Sequence, residues 1–372
     1  MTSTLLAHRV CSILITAACW FAAAAESAEK RKVILDDDGF AIAQYLVLQD
    51  PDTEVLGVTI VSGNAWRDAS VARALRALEI IDRTEVPVVP GAVFPLLNSE
   101  EQTARWEALY GKLIWKGAWQ QAWVEETVQS TPQRLGPYEV PDLPEGNPTT
   151  RARDEHAANF LLRTVRSHPG QVSIIATGPL TNLALAQSLD PSFATLAREL
   201  IYMGGSLNPH QVLHNTSAAE FAREFANTPR HEFNFFFDPE AARIVLRAPW
   251  KKLTMVPVDP STATQLTPRL LTAMSTADTA LARNTRTREP GFPLWDEIAT
   301  AIWLDDALIS ASTDLYVDAV TDFGANYGNT LSWSPGYQPG LGERLNTVVR
   351  SIDVQALEAL MIERMNRLTA PP

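Results

Sequence analysis

Cysteine is nearly absent from this chain. Of its 372 residues only Cys11 and Cys19 carry a thiol, and both fall in the first 25 positions. From Glu26 onward, disulfides, a cysteine nucleophile, thiolate-bound zinc and iron–sulfur clusters are therefore excluded. Histidine is scarce too, at six. Any metal site must draw on carboxylate, carbonyl, hydroxyl or imidazole ligands, which favours a hard cation such as calcium or magnesium. Basic runs are missing: 31 Lys+Arg stand against 43 Asp+Glu, a formal net charge of −12. Without clustered cations, the counterion release that drives nucleic-acid binding has no source. No segment after the first 25 residues is apolar over the roughly 20 positions that a membrane span needs. A hydrophobic fraction of 46 % with 20 % charge excludes disorder, collagen and a coiled coil.

What is present begins with a leader. His8 and Arg9 precede an apolar run from Val10 to Ala22, followed by Ala23-Ala24-Ala25 and the polar Glu26-Ser27. A basic start, a short apolar stretch and an A-x-A-like site read as a signal peptide over residues 1–25. The expectation is a chain exported to the periplasm or beyond, with 26–372 as its one domain. Thr16-Ala17-Ala18-Cys19 is a poor lipoprotein box, because it lacks the usual Leu at its first position.

Further along, short apolar runs alternate with helical periodicity. Lys32–Leu35, Glu54–Val61, Val86–Val89, Val172–Ala176, Leu200–Met203, Phe233–Phe237 and Leu253–Val256 read as strands. Helices are expected over 40–49, 67–82, 154–167, 239–247 and 353–368, the last with Val354, Leu357, Met361, Met365 and Leu368 on one face. This pattern predicts an α/β fold built on a single doubly wound, mostly parallel, Rossmann-like sheet. Residues 94–150, with Trp106, Trp115, Trp119 and Trp123, look like an insertion over one face. Strand-like Leu315–Val320, Thr330–Trp333 and Thr347–Val349 form a C-terminal strand and helix extension.

In such a sheet the ligand sits at the carboxyl ends of the strands. The polar clusters found there are Asp36-Asp37-Asp38, Ser62-Gly63-Asn64, Thr177-Gly178 and Gly204-Gly205. Strand geometry puts Asp36 and Asp38 on one side and Asp37 on the other. Close carboxylates repel unless a cation or proton lies between them, although an acidic turn with a helix cap would also account for the triplet. Glu232 and Asn234 alternate on the expected strand 233–237 and would face one way. Asp238-Pro239 reads as an ordinary helix start, and Asp296 as a helix cap or a site residue.

Taken in order, VILDDDG (33–39), EVLGVTIVSGN (54–64), VPVVPGAVFPL (86–96), IIATGPLTNLALA (174–186), ELIYMGGS (199–206), EFNFFFDPEAARIVL (232–246) and LWDEIATAI (294–302) resemble the inosine-uridine-preferring nucleoside hydrolase family. The Trp-rich stretch with Tyr110-Gly111-Lys112-Leu113 resembles a secreted, divergent branch. The resemblance implies the nucleoside hydrolase fold and metal-assisted hydrolysis of the N-glycosidic bond of ribonucleosides to base and ribose, in purine or pyrimidine salvage. It implies Ca2+ held by Asp38, the Thr177 carbonyl and Asp296, with Asp36 in support. It also implies ribose hydroxyls gripped by Asn64, Met203, Glu232 and Asn234, and assembly as a homodimer or homotetramer. An oxocarbenium-like transition state is stabilised by such anionic oxygens.

The family motif D-x-D-x-x-x-D-D is broken here. Its last two positions hold Ile42 and Ala43, which are neither base nor ligand. The base role then falls to Asp38 or Asp37, or the chain is an inactive ribose- or nucleoside-binding protein of the same fold. The family's base-pocket histidine positions read Tyr110 and Trp295, poor proton donors near neutral pH; Trp295 remains able to stack on a nucleobase. Asn227 is a candidate for a further ribose contact.

Overall fold

The computed structural model describes residues 29–113, 115–119, 135–207 and 231–368. The expected leader, Trp123 and Asn227 lie outside the described residues, as do His210 and His214.

Nine strands form one sheet: β1 (Arg31–Asp37), β2 (Thr53–Ile60), β3 (Val88–Pro90), β4 (Val172–Ala176), β5 (Glu199–Met203), β6 (Leu253–Val256), β7 (Ile309–Ala319), β8 (Thr330–Trp333) and β9 (Arg344–Ile352). Their spatial order is β3-β2-β1-β4-β5-β6-β9-β7-β8. The first seven in that row run parallel, and β7 pairs antiparallel with both β9 and β8. From β1 the chain winds outward to β2 and β3, then returns to place β4 on the opposite flank of β1. That reversal opens the crevice in which a doubly wound sheet binds its ligand.

The alternation of β1 divides the core in two. Val33 and Leu35 point to one face, with helices 42–48, 296–304 and 354–365, while Ile34 points to the other, with helices 157–167, 181–189 and 239–247. Both faces of the sheet are therefore covered, as a parallel sheet requires.

Several expectations change in detail. β1 continues through Asp36 and Asp37, because both remain paired with β2. Residues 233–237 form a short helix, although an aromatic-rich FNFFF run suits a strand. The cause is Glu232, whose carboxylate accepts the backbone N–H groups of Asn234 and Phe235 and so caps a helical turn. The insertion has structure of its own, a helix from Glu100 to Tyr110 whose cap Ser99 accepts from the Gln102 N–H at 3.1 Å. On the last helix Leu357, Met361 and Met365 are buried as expected, but Leu368 lies beyond its end and is exposed.

Candidate active site

The carboxyl end of β1 delivers three adjacent carboxylates into the switch-point crevice, each 0–1 % exposed. Removing a carboxylate from water is costly unless donors replace the water, and here each has its own donors. Asp36 Oδ1 accepts from Thr59 Oγ1 at 2.5 Å and Asn182 Nδ2 at 2.8 Å. Asp37 Oδ1 accepts from Gln44 Nε2 at 2.7 Å and Thr177 Oγ1 at 2.8 Å, and its Oδ2 from the Gly39 and Phe40 N–H groups. Asp38 is gripped twice by one residue, since Asn64 donates its backbone N–H to Oδ2 at 2.8 Å and its side-chain amide to Oδ1 at 3.1 Å. Alternation along β1 thus sends Asp37 towards helix 42–48 and Asp36 towards Asn182, as its geometry predicts.

The neighbouring strand ends complete the wall. Asn64, after β2, accepts on Oδ1 from Trp115 Nε1 at 2.7 Å, so the insertion fixes the same amide that holds Asp38. Asn234 donates its amide to two carbonyls, Thr177 at the end of β4 and Met203 at the end of β5, both at 3.1 Å. Its Oδ1 is left buried without a partner. Glu232 receives three backbone N–H groups, from Asn234, Gly205 and Phe235.

These groups face a cavity of about 620 Å³. Asn64, Thr177, Met203, Glu232, Asn234, Trp295 and Asp296, all expected site residues, line it together. Asp36, Asp37 and Asp38 do not; they stand behind the lining. Asp296 opens helix 296–304 and bonds no protein donor through its carboxylate among the described residues, so it is a cavity group and not a cap. Tyr110 is outside the lining and packs its ring against Trp106 at 5.4 Å.

Residues that sequence reasoning missed include Glu297, Arg288 and Gln44. Glu297 sits beside Asp296 in the lining, and a second acid at that helix start was the available signal. Arg288 comes from an irregular loop without a motif. Gln44 follows Ile42-Ala43 directly. It accepts the Ala41 N–H at 2.7 Å and donates to Asp37, which places a neutral amide one position after the lost aspartate pair.

So many enclosed acids hold on to protons. Burial pushes Asp36 and Glu232 up to about 7 against the lowering effect of their donors. Burial and the charge of Asp37 push Asp38 up to about 8, and Asp37 itself is raised by burial. Asp296 is raised well above the usual range by burial, then by Glu297, Asp38, Asp37 and Glu232. Burial likewise takes Glu297 to about 7. The described imidazole nearest in sequence, His231, turns away from the cavity and stacks edge-on against Trp106 at 4.5 Å. Burial lowers its pKa to about 4, so the ring is neutral.

The class defined by this fold and cavity is a doubly wound α/β protein whose ligand site, at its switch point, combines acids and amides with aromatic rings. Residues 33–359 match the model of the inosine-uridine preferring nucleoside hydrolases. The chain belongs to that family, glycosidases that split the N-glycosyl bond of ribonucleosides to give free base and ribose. Among curated proteins, it is 28 % identical over 343 residues to the uncharacterized protein C800.11 of Schizosaccharomyces pombe, covering 85 % of this chain and 79 % of that one. It is 30 % identical over 220 residues to the probable uridine nucleosidase 2 of Arabidopsis thaliana, covering 58 % and 56 %. The fold matches that of a plant nucleoside hydrolase, PpNRh1, with a TM-score of 0.68 at 21 % identity, covering 90 % of this chain and 99 % of that one.

The Asp38 grip predicts a contrast between two glycines. A Cβ on Gly63 would lie 2.0 Å from Asp38 Oδ2, whereas one on Gly39 meets nothing within 4 Å. Gly63→Ala is expected to cut kcat/KM by more than tenfold by displacing Asp38, and Gly39→Ala to leave it within about twofold. Steady-state kinetics of the two variants, with melting curves to confirm folding, make the check.

Proposed function

We propose that the chain hydrolyses ribonucleosides at this cavity, with Asp296 as the carboxylate that meets the attacking water and Asn64, Glu232 and Asn234 as the ribose grip. The observation that carries this reading is that one cavity gathers Asp296, Glu232 and the unpaired Oδ1 of Asn234 at the ends of β4 and β5. Among the described residues no protein donor occupies the Asp296 carboxylate, and its raised pKa makes it, once ionised, a strong acceptor for a proton from water. Asp37 and Asp38, previously the candidate bases, have every oxygen accepting a hydrogen bond. Their part is electrostatic: when ionised they act on Asp296 from behind the lining and favour positive charge developing at C1′. The second reading, a ribose- or nucleoside-binding protein without turnover, is favoured by one observation: Ile42 stands in the lining where the family motif has an aspartate.

The family is generally calcium-dependent, and the donors here do not fit that ion. Calcium takes six to eight oxygens. Of the implied ligands, Asp38 has both oxygens engaged by Asn64, the Thr177 carbonyl accepts the Asn234 amide, and Asp36 is sealed behind the wall. Among the described residues, no group of three or more acidic or imidazole side chains is arranged to hold a metal.

Asp296→Asn and Glu232→Gln are each expected to lower kcat/KM for ribose release by on the order of 10²–10³, as loss of an electrostatic stabiliser does. Wild-type rates in both variants would refute the assignment, and nucleoside binding by calorimetry with no ribose released would establish the binding-protein reading.

Stability should also depend on pH in a set direction. Asp36, Glu232 and Asp38 have native pKa values of about 7, 7 and 8, above those of an unfolded chain. Between about pH 4 and 8 the native state keeps protons that the unfolded chain has released, so stability falls as pH rises. Glu79 and Asp190, lowered to about 2, lose their contribution only below that window. In EDTA the Tm at pH 5 is therefore expected to exceed that at pH 8, and added calcium to leave the pH 8 value unchanged. A calcium site filled at 100 times its Kd would contribute about 2.7 kcal/mol, so a rise of several degrees at pH 8 would restore the ion.

We also propose export with cleavage after Ala25. Edman sequencing of protein expressed from the full-length chain should begin at Glu26; an intact amino terminus in the cytoplasmic fraction would contradict it.

A further inference from the structure

Resting on the glycosidase reading, we propose that Trp115 is a positioning residue: its indole N–H sets the direction in which the Asn64 amide faces, and with it the ribose grip and the placing of Asp38.

The insertion brings this ring to the site along a fixed path. Glu107, on helix 100–110, accepts the Leu113 N–H on Oε1 at 3.0 Å and pairs with Lys116 Nζ on Oε2 at 3.1 Å. Just beyond, Trp119 is buried and stacks on Phe237, with ring centroids 4.4 Å apart and planes 21° off parallel. Between these anchors the chain lies against the loop after β2. Ala118 donates its N–H to the Gly63 carbonyl at 2.8 Å. Gly117 has φ +55°, and a Cβ there would lie 2.2 Å from the same oxygen, so the close approach of the two backbones depends on glycine. Residues 115–119 thus brace the loop that holds Asn64, and the Trp115 ring ends in the cavity wall.

Hydrogen bonding then decides which way the amide faces. Asn64 has an oxygen that accepts and a nitrogen that donates, and turning the group over exchanges them. An indole N–H can only donate. With Trp115 Nε1 at 2.7 Å, the side of the amide that meets it must be Oδ1, which turns Nδ2 towards Asp38 Oδ1 at 3.1 Å. A water in place of the indole would both donate and accept, and would tolerate either direction. In the direction that the indole sets, one Nδ2 hydrogen is taken by Asp38 and the other is left for a ribose hydroxyl oxygen. Asn64 lines the cavity and is exposed there, so a bound riboside reaches it directly. The Asn64 backbone N–H holds Asp38 Oδ2 at 2.8 Å whichever way the amide lies. Loss of the indole N–H therefore loosens the Asn64–Asp38 pair without dismantling it.

The test separates the N–H from the ring. Trp115→Phe keeps an aromatic wall and removes the donor, and exchanging the Trp115 indole for benzothiophene removes the donor while keeping the shape. Ribose release from inosine and from uridine is measured in both variants, with melting curves to confirm folding. We expect kcat to fall about five- to tenfold, the effect of one hydrogen bond, with KM held within about twofold, as for an interaction expressed in the transition state. In an Asn64→Ala background the amide is gone, and Trp115→Phe is then expected to change kcat by no more than about twofold, because residues acting through one another are not additive. Unchanged kcat in both Trp115 variants, a change in KM alone, or an equal loss with and without the Asn64 amide would overturn the proposal while leaving the glycosidase reading intact. If the wild type releases no ribose, the glycosidase reading fails instead. Positioning is then read from the nuclear magnetic resonance of the Trp115 indole N–H, whose chemical shift and solvent exchange Asn64→Ala is expected to alter; an unmoved resonance would overturn it.

Discussion

The molecule is organised around one electrostatic problem, the burial of several like charges at the end of a single strand. β1 carries Asp36, Asp37 and Asp38 into an enclosed crevice, and β2, the end of β4, helices 42–48 and 181–189 and the loop after β2 all send donors to meet them. The solution is amide by amide. Asn182 holds Asp36, Gln44 holds Asp37, Asn64 holds Asp38, and Asn234 joins the Thr177 and Met203 carbonyls. All but the Gln44 bond link segments far apart in sequence, so the acids that would drive the elements apart are also what registers them. The donors offset only part of the desolvation penalty, and these acids keep raised pKa values.

That arrangement explains how a family fold persists after losing part of its motif. Where the motif would have an aspartate pair, this chain puts Ile42 in the cavity wall, Ala43 in the core and then Gln44, whose neutral amide satisfies Asp37. The acids around the cavity survive, with Asp37 and Asp38 held by amide and backbone donors. Function on a retained fold is decided at this level of detail.

Much of the architecture was legible in the sequence because buried parallel strands are continuous apolar runs closed by polar clusters. The segments ending in Thr177, Met203 and Asn64 were placed correctly, and their polar termini do meet at one cavity. Misreadings came where a side chain overruled local pattern. The run FNFFF has strand composition, but Glu232 caps it into a helical turn. The places of Asp37 and Asp38 behind the lining depend on Gln44, Thr177 and Asn64, which spacing within the triplet could not reveal. Arg288 and Glu297 reach the cavity through tertiary placement of a loop and a helix start, and carry no periodic signal.

The position of β9 has a consequence for when the molecule can form. Residues 344–352 lie in the sheet between β6 and β7, so the β7–β8 hairpin joins the sheet only through a strand that follows it in the chain. A nascent chain therefore cannot complete its sheet until residues 344–352 have been synthesised. Before that, β6 keeps an open edge, and non-local pairing of this kind is slow. Lateness of closure keeps the chain threadable through a narrow passage for most of its synthesis, and leaves it exposed to aggregation for the same interval.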